Sequence, residues 1–275
     1  MTPASSAITP ARPGAASAGP AAPARRLGGQ TALVTGSTSG IGEAIAGRLA
    51  AEGAHVLVSG RDRERGAGCV ERVRSEGGRA DFLAVDLAGS YAGIRDFAAA
   101  ATALLGGRVD ILVNNAGLYP SPPTAGLADD DLDAMLAVNI AAPYVLSAVL
   151  IPAMAERGSG CVVNIGSWMA QVGSPIGAMY TATKAADEQL TRSWAAEFGA
   201  RGVRVNTVAP GVTLTPGNSA FRPVLDAMTA ATPAGSVVLP ADIAAAVAFL
   251  ASGDAARVHG ITLYVDGGIS ATRLH

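Results

Sequence analysis

Very little of this 275-residue chain is charged, aromatic or able to hold a metal. Charged residues make up 15% and the net charge is -2, so no basic surface is available to draw nucleic acid or an anionic membrane. The two cysteines, Cys69 and Cys161, stand far apart without metal-ligand spacing and read as small buried thiols of a reducing compartment. The three histidines, His55, His259 and His275, are scattered, so no metal site is readable. No apolar run is expected to reach the length of a membrane span. The expectation is one large cytoplasmic domain with a full core.

Residues 1–26, MTPASSAITPARPGAASAGPAAPARR, lack any acid and any apolar periodicity. Their prolines break every candidate apolar segment of a secretory signal and oppose the amphipathic helix of an organelle transit peptide. Composition predicts a disordered Ala/Pro-rich extension over 1–26, followed by a single domain over 27–275.

What the chain does have is alternation. The runs QTALVTG, AHVLVSG, ADFLAVD, VDILVNNAG, GCVVNIGS, VRVNTVAPG and ITLYVDGG predict about seven strands. They are almost continuously apolar, as strands are when both sheet faces are covered. Helices are predicted between them at 41–52, 63–77, 90–105, 129–157, 178–200 and 240–252. This order predicts an α/β fold, a Rossmann-like doubly wound parallel sheet with helices on both faces. Such sheets bind ligands beyond the carboxyl ends of their strands.

The residues at those ends are unusual. Strand one runs into TGSTSGIGEAIA, whose Gly36, Gly40 and Gly42 allow a tight turn and a close approach of backbone to a pyrophosphate at a helix N-terminus. Strand two ends in LVSGRDRER, where Ser59 and Gly60 stand in place of an acid and Arg61 suits a ribose 2′-phosphate and favours NADP(H), with NAD(H) the other option. Asp62 would blunt that charge if it turned inward, and the glycine turn offers Ser37, Thr38 and Ser39 rather than a second basic residue. After strand three, Asp86-Leu87 places a carboxylate where an adenine amino group could donate to it. After strand four comes NNAG at 114–117, small enough to pass close to a cofactor, although Asn114 and Asn115 serve equally as turn formers. In AMYTATKAADEQL, Tyr180 and Lys184 share one helix face. The pair is either a lysine stem packed on a ring or a tyrosine whose acidity is tuned.

Taken together, TGSTSGIG, NNAG, Asn139 in AVNIAAP, Ser167 in NIGSWMA, Tyr180-x3-Lys184, Pro210-Gly211 and YVDGG resemble the single-domain branch of the short-chain dehydrogenase/reductase family over roughly residues 28 to 270. The resemblance implies hydride transfer between a nicotinamide and a ketone or secondary alcohol, with Tyr180 as general acid/base. A free tyrosine titrates near about 10, and bringing it to neutrality takes about 4 kcal/mol, which a positive charge about 4 Å away supplies in a partly shielded site. The family places Lys184 in that role and on the nicotinamide ribose, Ser167 on the substrate carbonyl, and Asn139 on a water of the proton relay. It further implies cofactor contacts from Gly36, Ser37, Ser39, Gly40, Ile41, Gly42, Arg61, Asp86, Leu87, Asn115, Ala116, Gly117, Tyr180, Lys184, Pro210, Gly211, Thr213 and Thr215. Thr213 stands where the family usually has an aliphatic residue.

Leu214 to Ser236 would form a lid, and its Phe221, Leu225 and Met228, with Tyr119, Trp168, Met169 and Met179, suggest an apolar substrate wall. The family also implies a homotetramer or homodimer paired through the helices at 129–157 and 178–200. Three other readings remain. A catalytically silent nucleotide-binding relative would not need all four of Asn139, Ser167, Tyr180 and Lys184. A 3-oxoacyl thioester reductase on a carrier protein would call for more bases beside the entrance than Arg157. An extended-branch epimerase or dehydratase would need a longer C-terminal part and a G-x2-G-x2-G turn.

Overall fold

A computed structural model describes residues 25–272. Most of the expected N-terminal extension, up to residue 24, lies outside the described residues, as does His275. Arg26, which composition assigned to that extension, is held in the fold: its guanidinium makes a two-point contact with Glu52 at 2.7 and 2.8 Å and reaches Asp254.

The sheet has seven parallel strands, β1 (Thr31–Val34), β2 (His55–Gly60), β3 (Arg79–Ala84), β4 (Ile111–Asn114), β5 (Gly160–Ile165), β6 (Val203–Pro210) and β7 (Thr262–Val265). Their spatial order is β3-β2-β1-β4-β5-β6-β7, so the chain reverses direction of travel between β1 and β4. That reversal opens a crevice at the carboxyl ends of these two strands.

Strand residues alternate between two cores because successive side chains leave opposite faces of the pleat. Val34, Val56 and Val113 face one core with Ile45, Leu49, Val247 and Leu250, from α1 (Gly40–Ala51) and α8 (Pro240–Ala251). The α2 helix (Arg63–Ser75) adds Cys69, Val70 and Val73 on that side. Leu33, Leu57 and Leu112 face the other core with Ile94, Phe97, Leu146, Leu150 and Trp194. These come from α3 (Tyr91–Leu104), α5 (Ala142–Glu156) and α6 (Ala178–Phe198). Asp62 caps α2 by accepting from the Arg65 N–H, and Ser90 caps α3 by accepting from Gly93. A further short helix, α7 (Arg222–Thr229), belongs to the segment after β6.

Two expectations change here. The predicted helix at 129–157 is α4 (Asp129–Met135), a π turn over Leu136–Ala141, and then α5. Pro143 has no N–H for the carbonyl four residues earlier, which is that of Asn139, and the turn widens around it. Residues 129–156 also form a 28-residue helical stretch that, by length and composition, is apolar enough to cross a membrane. Sequence reading overlooked this run. Half of its most apolar window is buried, with Leu146, Leu150, Ile151 and Met154 packed on the sheet, and that packing accounts for its apolarity.

Candidate active site

The turn after β1 is cross-braced to the turn after β4. Thr35 Oγ1 accepts from the N–H groups of Asn115 and Ala116 at 3.0 and 3.1 Å, and Asn115 Nδ2 donates back to the carbonyls of Thr35 and Gly36 at 2.8 and 3.0 Å. Space there is short. A Cβ at Gly36, whose φ is +61°, would lie 2.8 Å from Ala116 Cα, and one at Gly42 would lie 2.4 Å from both Asn115 Nδ2 and the Gly36 carbonyl oxygen. Ser39 stands at the exposed N-cap of α1 with no side-chain cap bond, so the first N–H groups of the helix, those of Gly40, Ile41 and Gly42, face the crevice without an internal acceptor. Backbone donors at a helix N-terminus between β1 and β4 fit a pyrophosphate.

Ser37 was expected among the cofactor contacts, and its position corrects that. Its hydroxyl donates to the Val34 carbonyl at 2.7 Å and accepts from Ser59 N–H at 3.0 Å, while its own N–H bonds Ser59. It is buried and braces the turn from beneath.

Beyond β2, Asp62 does not turn inward. Its two oxygens take the Arg65 N–H at 3.0 Å and Arg65 Nε at 2.6 Å. Arg61 is exposed, and among the described residues no hydrogen bond or ion pair holds it. A side chain at Gly60 would meet Thr38 Cγ2 at 2.9 Å, which keeps the end of this strand bare. Asp86 is exposed and uses one oxygen to accept from Ala88 N–H. The Leu87 side chain belongs to the core, so only its backbone is free to meet a cofactor.

The tyrosine–lysine pair sits at the start of α6, after Gly177, which has a φ of +71° and donates its N–H to the Pro122 carbonyl. Tyr180 is half-buried, and Lys184, one turn further, is 5% exposed. The Lys184 ammonium donates to the Ile165 carbonyl at 2.7 Å and to Asp187 Oδ2 at 3.0 Å. Burial alone would lower its pKa, but the Asp187 carboxylate and the Tyr180 phenol outweigh burial and hold it above the ordinary lysine value. The pair is therefore no surface contact of stem on ring. Ser167, two residues beyond the last residue of β5, is buried; its Oγ accepts from Met169 N–H at 3.2 Å, which leaves its proton to donate.

Asn139, on the π turn, has its carboxamide engaged in protein contacts. Oδ1 accepts from Leu118 N–H at 2.8 Å, and Nδ2 donates to the Leu118 carbonyl at 2.8 Å and to Thr183 Oγ1 at 3.1 Å. With both amide protons used, the side chain ties the loop after β4 to α6. A Cβ at Gly117 would fall 3.6 Å from Asn139 Oδ1 and 3.7 Å from Lys184 Nζ, which brings NNAG, the π turn and α6 to one point.

After β6, Gly211 lies so close to β7 that a Cβ would be 2.5 Å from Asp266 Cα. Pro210 is the last residue of β6, and Thr213 is buried with its carbonyl already accepting from Asn218 Nδ2 at 2.9 Å. Thr215 Cγ2 lies 3.5 Å from where a Gly40 Cβ would stand, so the lid begins directly over the glycine turn. Of the expected apolar wall, Tyr119 and Phe221 are exposed, while Trp168, Met169 and Met179 are half-buried. The sequence reading missed Asp187. Its only signal was an acid three residues after a lysine on the same helix face.

Comparison with known proteins agrees with this geometry. The family model described as enoyl-(acyl carrier protein) reductase matches residues 36–270. D-Threitol dehydrogenase of Mycolicibacterium smegmatis is 38% identical over 245 residues, covering 88% of this chain and 94% of that protein. A solved short chain dehydrogenase/reductase family protein is 44% identical with a TM-score of 0.82, covering 90% of this chain and 100% of that one. A 3-oxoacyl (acyl-carrier-protein) reductase from Agrobacterium tumefaciens, solved with NADP bound, is 36% identical with a TM-score of 0.83, over 88% of this chain and 95% of that one. The chain thus belongs to the short-chain dehydrogenase/reductase family and is an NAD(P)-dependent oxidoreductase working between CH–OH and C=O groups.

Proposed function

We propose that this chain interconverts a small to medium, mainly apolar ketone and its secondary alcohol, preferring NADP(H), with Tyr180 as the acid/base. The observation that carries this reading is the buried, charged Lys184 one helical turn from Tyr180, bonded to the Ile165 carbonyl at the end of β5, two residues before Ser167. A nicotinamide cofactor, when bound, supplies or accepts the hydride. Gly40, Ile41 and Gly42 would hold its pyrophosphate through backbone N–H groups, Arg61 the ribose 2′-phosphate, and Asp86 the adenine. Ser167 donates its free proton to the substrate oxygen, where negative charge develops. Tyr180 delivers a proton to that oxygen in reduction and removes it in oxidation. Lys184 stabilises the phenolate that remains. Asn139 acts by holding Leu118 and Thr183, and so the loop and α6, in register.

The preference for NADP(H) is supported by the unpaired Arg61 and by Asp62 being engaged with Arg65. The apolar wall is supported by Tyr119, whose hydroxyl lies 3.6 Å from where a Gly217 Cβ would stand in the lid, and by Phe221 of the same lid, both exposed. Tyr144, 53% exposed on α5 beside Trp194 of α6, supports pairing of subunits through these helices as a homotetramer or homodimer. Two free, buried thiols fit a cytoplasmic setting.

Fluorescence titration with NADPH and NADH tests the cofactor; tighter NADPH binding is expected, and tighter NADH binding refutes the role of Arg61. Tyr180→Phe should bind cofactor as the parent does and lose turnover by 100-fold or more, on the order of general acid catalysis. Turnover near the parent level would show that the acid is another group.

A further inference from the structure

We propose that Asp187 is a positioning residue of the active site, which holds the Lys184 ammonium from beneath and sets how much positive charge Tyr180 experiences. The inference rests on the reading of Tyr180 as the acid/base. An ammonium has three donors. Here the Ile165 carbonyl takes one at 2.7 Å and Asp187 Oδ2 another at 3.0 Å, which leaves one unengaged by these partners. Lys184 is 5% exposed and Asp187 4%, so neither charge is satisfied by bulk water. Burial pushes the Asp187 carboxyl up while Lys184 pulls against it.

A buried carboxylate has no packing reason to stand at this position of α6, where an aliphatic side chain would serve the core at lower desolvation cost. Its effect is electrostatic. A lone ammonium draws the tyrosine strongly toward phenolate, whereas an ammonium already paired with a carboxylate draws it less. Other charged or titratable groups nearby are few. Glu188 adds negative charge on the same helix and accepts from the Tyr264 hydroxyl of β7 at 2.9 Å, with Arg192 3.9 Å away. From the end of β5 the Ile165 carbonyl meets the pair, and from the π turn the neutral Asn139 carboxamide approaches the same point beside Gly117.

Two turns of helix separate Tyr180 from Asp187, about 10 Å, at which a unit charge in a site of effective dielectric constant about 20 moves a titration midpoint by about one pH unit. The experiment is the pH profile of kcat/KM and kcat for the parent, Asp187→Asn, Asp187→Leu and Asp187→Glu, with an alcohol that the protein turns over. Removing the carboxylate leaves Lys184 uncompensated, so the midpoint of the acid limb, where turnover of the alcohol falls as Tyr180 takes up a proton, should move down by about one unit in Asn and Leu and stay near the parent in Glu. Leu removes the charge without leaving an unpaired amide, in case Asn does not fold. A purely structural role would lower turnover or thermal stability evenly and leave the midpoint in place. An unmoved or raised midpoint in a folded neutral variant overturns the proposal. Tyr180→Phe measured alongside separates the two readings: if it retains turnover the acid/base assignment fails, and if it is inactive while the Asp187 profiles coincide with the parent, only this inference fails.

Discussion

Gly42 and Gly47 lie in the same helix, α1, and replacing each with alanine should have opposite effects. At Gly47 nothing stands within 4 Å of a new Cβ. The substitution then acts through backbone entropy and helix propensity, and should stabilise by about 1 kcal/mol. At Gly42 the methyl would sit 2.4 Å from the Gly36 carbonyl oxygen and 2.8 Å from Ser37 Cα. Both are backbone atoms of a turn tied down on either side, by Asn115 and by the bonds between Ser37 and Ser59. No side chain can rotate out of the way, so the glycine turn itself must shift. Overpacking of this kind costs about 1 to 3 kcal/mol, against a helix gain of under about 1 kcal/mol. For a chain of this size each kcal/mol moves Tm by roughly 2 to 4 °C. Gly47→Ala should therefore raise Tm by a few degrees with unchanged cofactor affinity. Gly42→Ala should lower Tm and weaken NADPH binding at least tenfold, because the same shift displaces the N–H groups at the head of α1. Thermal unfolding followed by fluorescence titration measures both. A Gly42→Ala protein with parental Tm and parental affinity would refute the account of the cradle.

Two further predictions concern buried ionisable groups away from the site. Burial by itself would raise the Glu52 carboxyl, but Arg26 and Arg48 hold it below the usual carboxylate value. A group depressed in the folded state adds stability above its unfolded pKa, and that stability is lost as pH falls through the lowered value. Glu52→Gln should accordingly lower Tm at neutral pH by about 4 to 8 °C, for a loss of about 2 kcal/mol, and the two proteins should converge in strongly acidic buffer. No convergence across a pH series of melts would refute the ion pair as its cause. The thiols of Cys69 and Cys161 are pushed up by burial, Cys69 to about 11. Both should resist a thiol reagent at pH 8 in the native protein and react fully in denaturant, and fast labelling of either in native buffer would contradict its burial.

The strands were legible because parallel strands covered on both faces leave unbroken apolar runs, as in TALV and ILVN. The place of the site was legible for a related reason, since glycines and small polar residues directly after strands have few other uses. The division of labour among those residues was not. Ser37 and Ser39 are alike on paper, yet one is buried under the turn and the other stands exposed at the head of α1. Asn139 looks like a ligand, and its carboxamide is committed to Leu118 and Thr183. The direction of Asp62 depends on Arg65, three residues later, which a reading of strand ends does not weigh. The π turn escaped notice because an unbroken helical pattern gives no sign of how a helix passes Pro143. The apolar stretch across it is a buried core face, which composition alone does not separate from a membrane span.

The face of α6 turned to the sheet explains why such details matter for chemistry. Tyr180, Lys184, Asp187 and Thr191 recur at helical spacing, so the stripe that an ordinary amphipathic helix fills with leucine is here largely polar. The three that follow Tyr180 each have a partner in the sheet or on the helix. Lys184 bonds the Ile165 carbonyl of β5; Thr191 Oγ1 accepts from Asn164 Nδ2 at 2.8 Å and lies 2.7 Å from Thr207 Oγ1 of β6; and Asn164 accepts in turn from Asn114 of β4 at 2.9 Å. Apolar contacts are non-directional and would tolerate a small rotation or slide of the helix, whereas hydrogen bonds weaken steeply with angle and length. A proton transfer requires its donor within hydrogen-bond reach of the reacting oxygen. The polar stripe thus supplies at the base of α6 the directional restraint that the phenol at its head requires, and hydrophobic burial is left to Leu190, Trp194 and Phe198 further along the same helix.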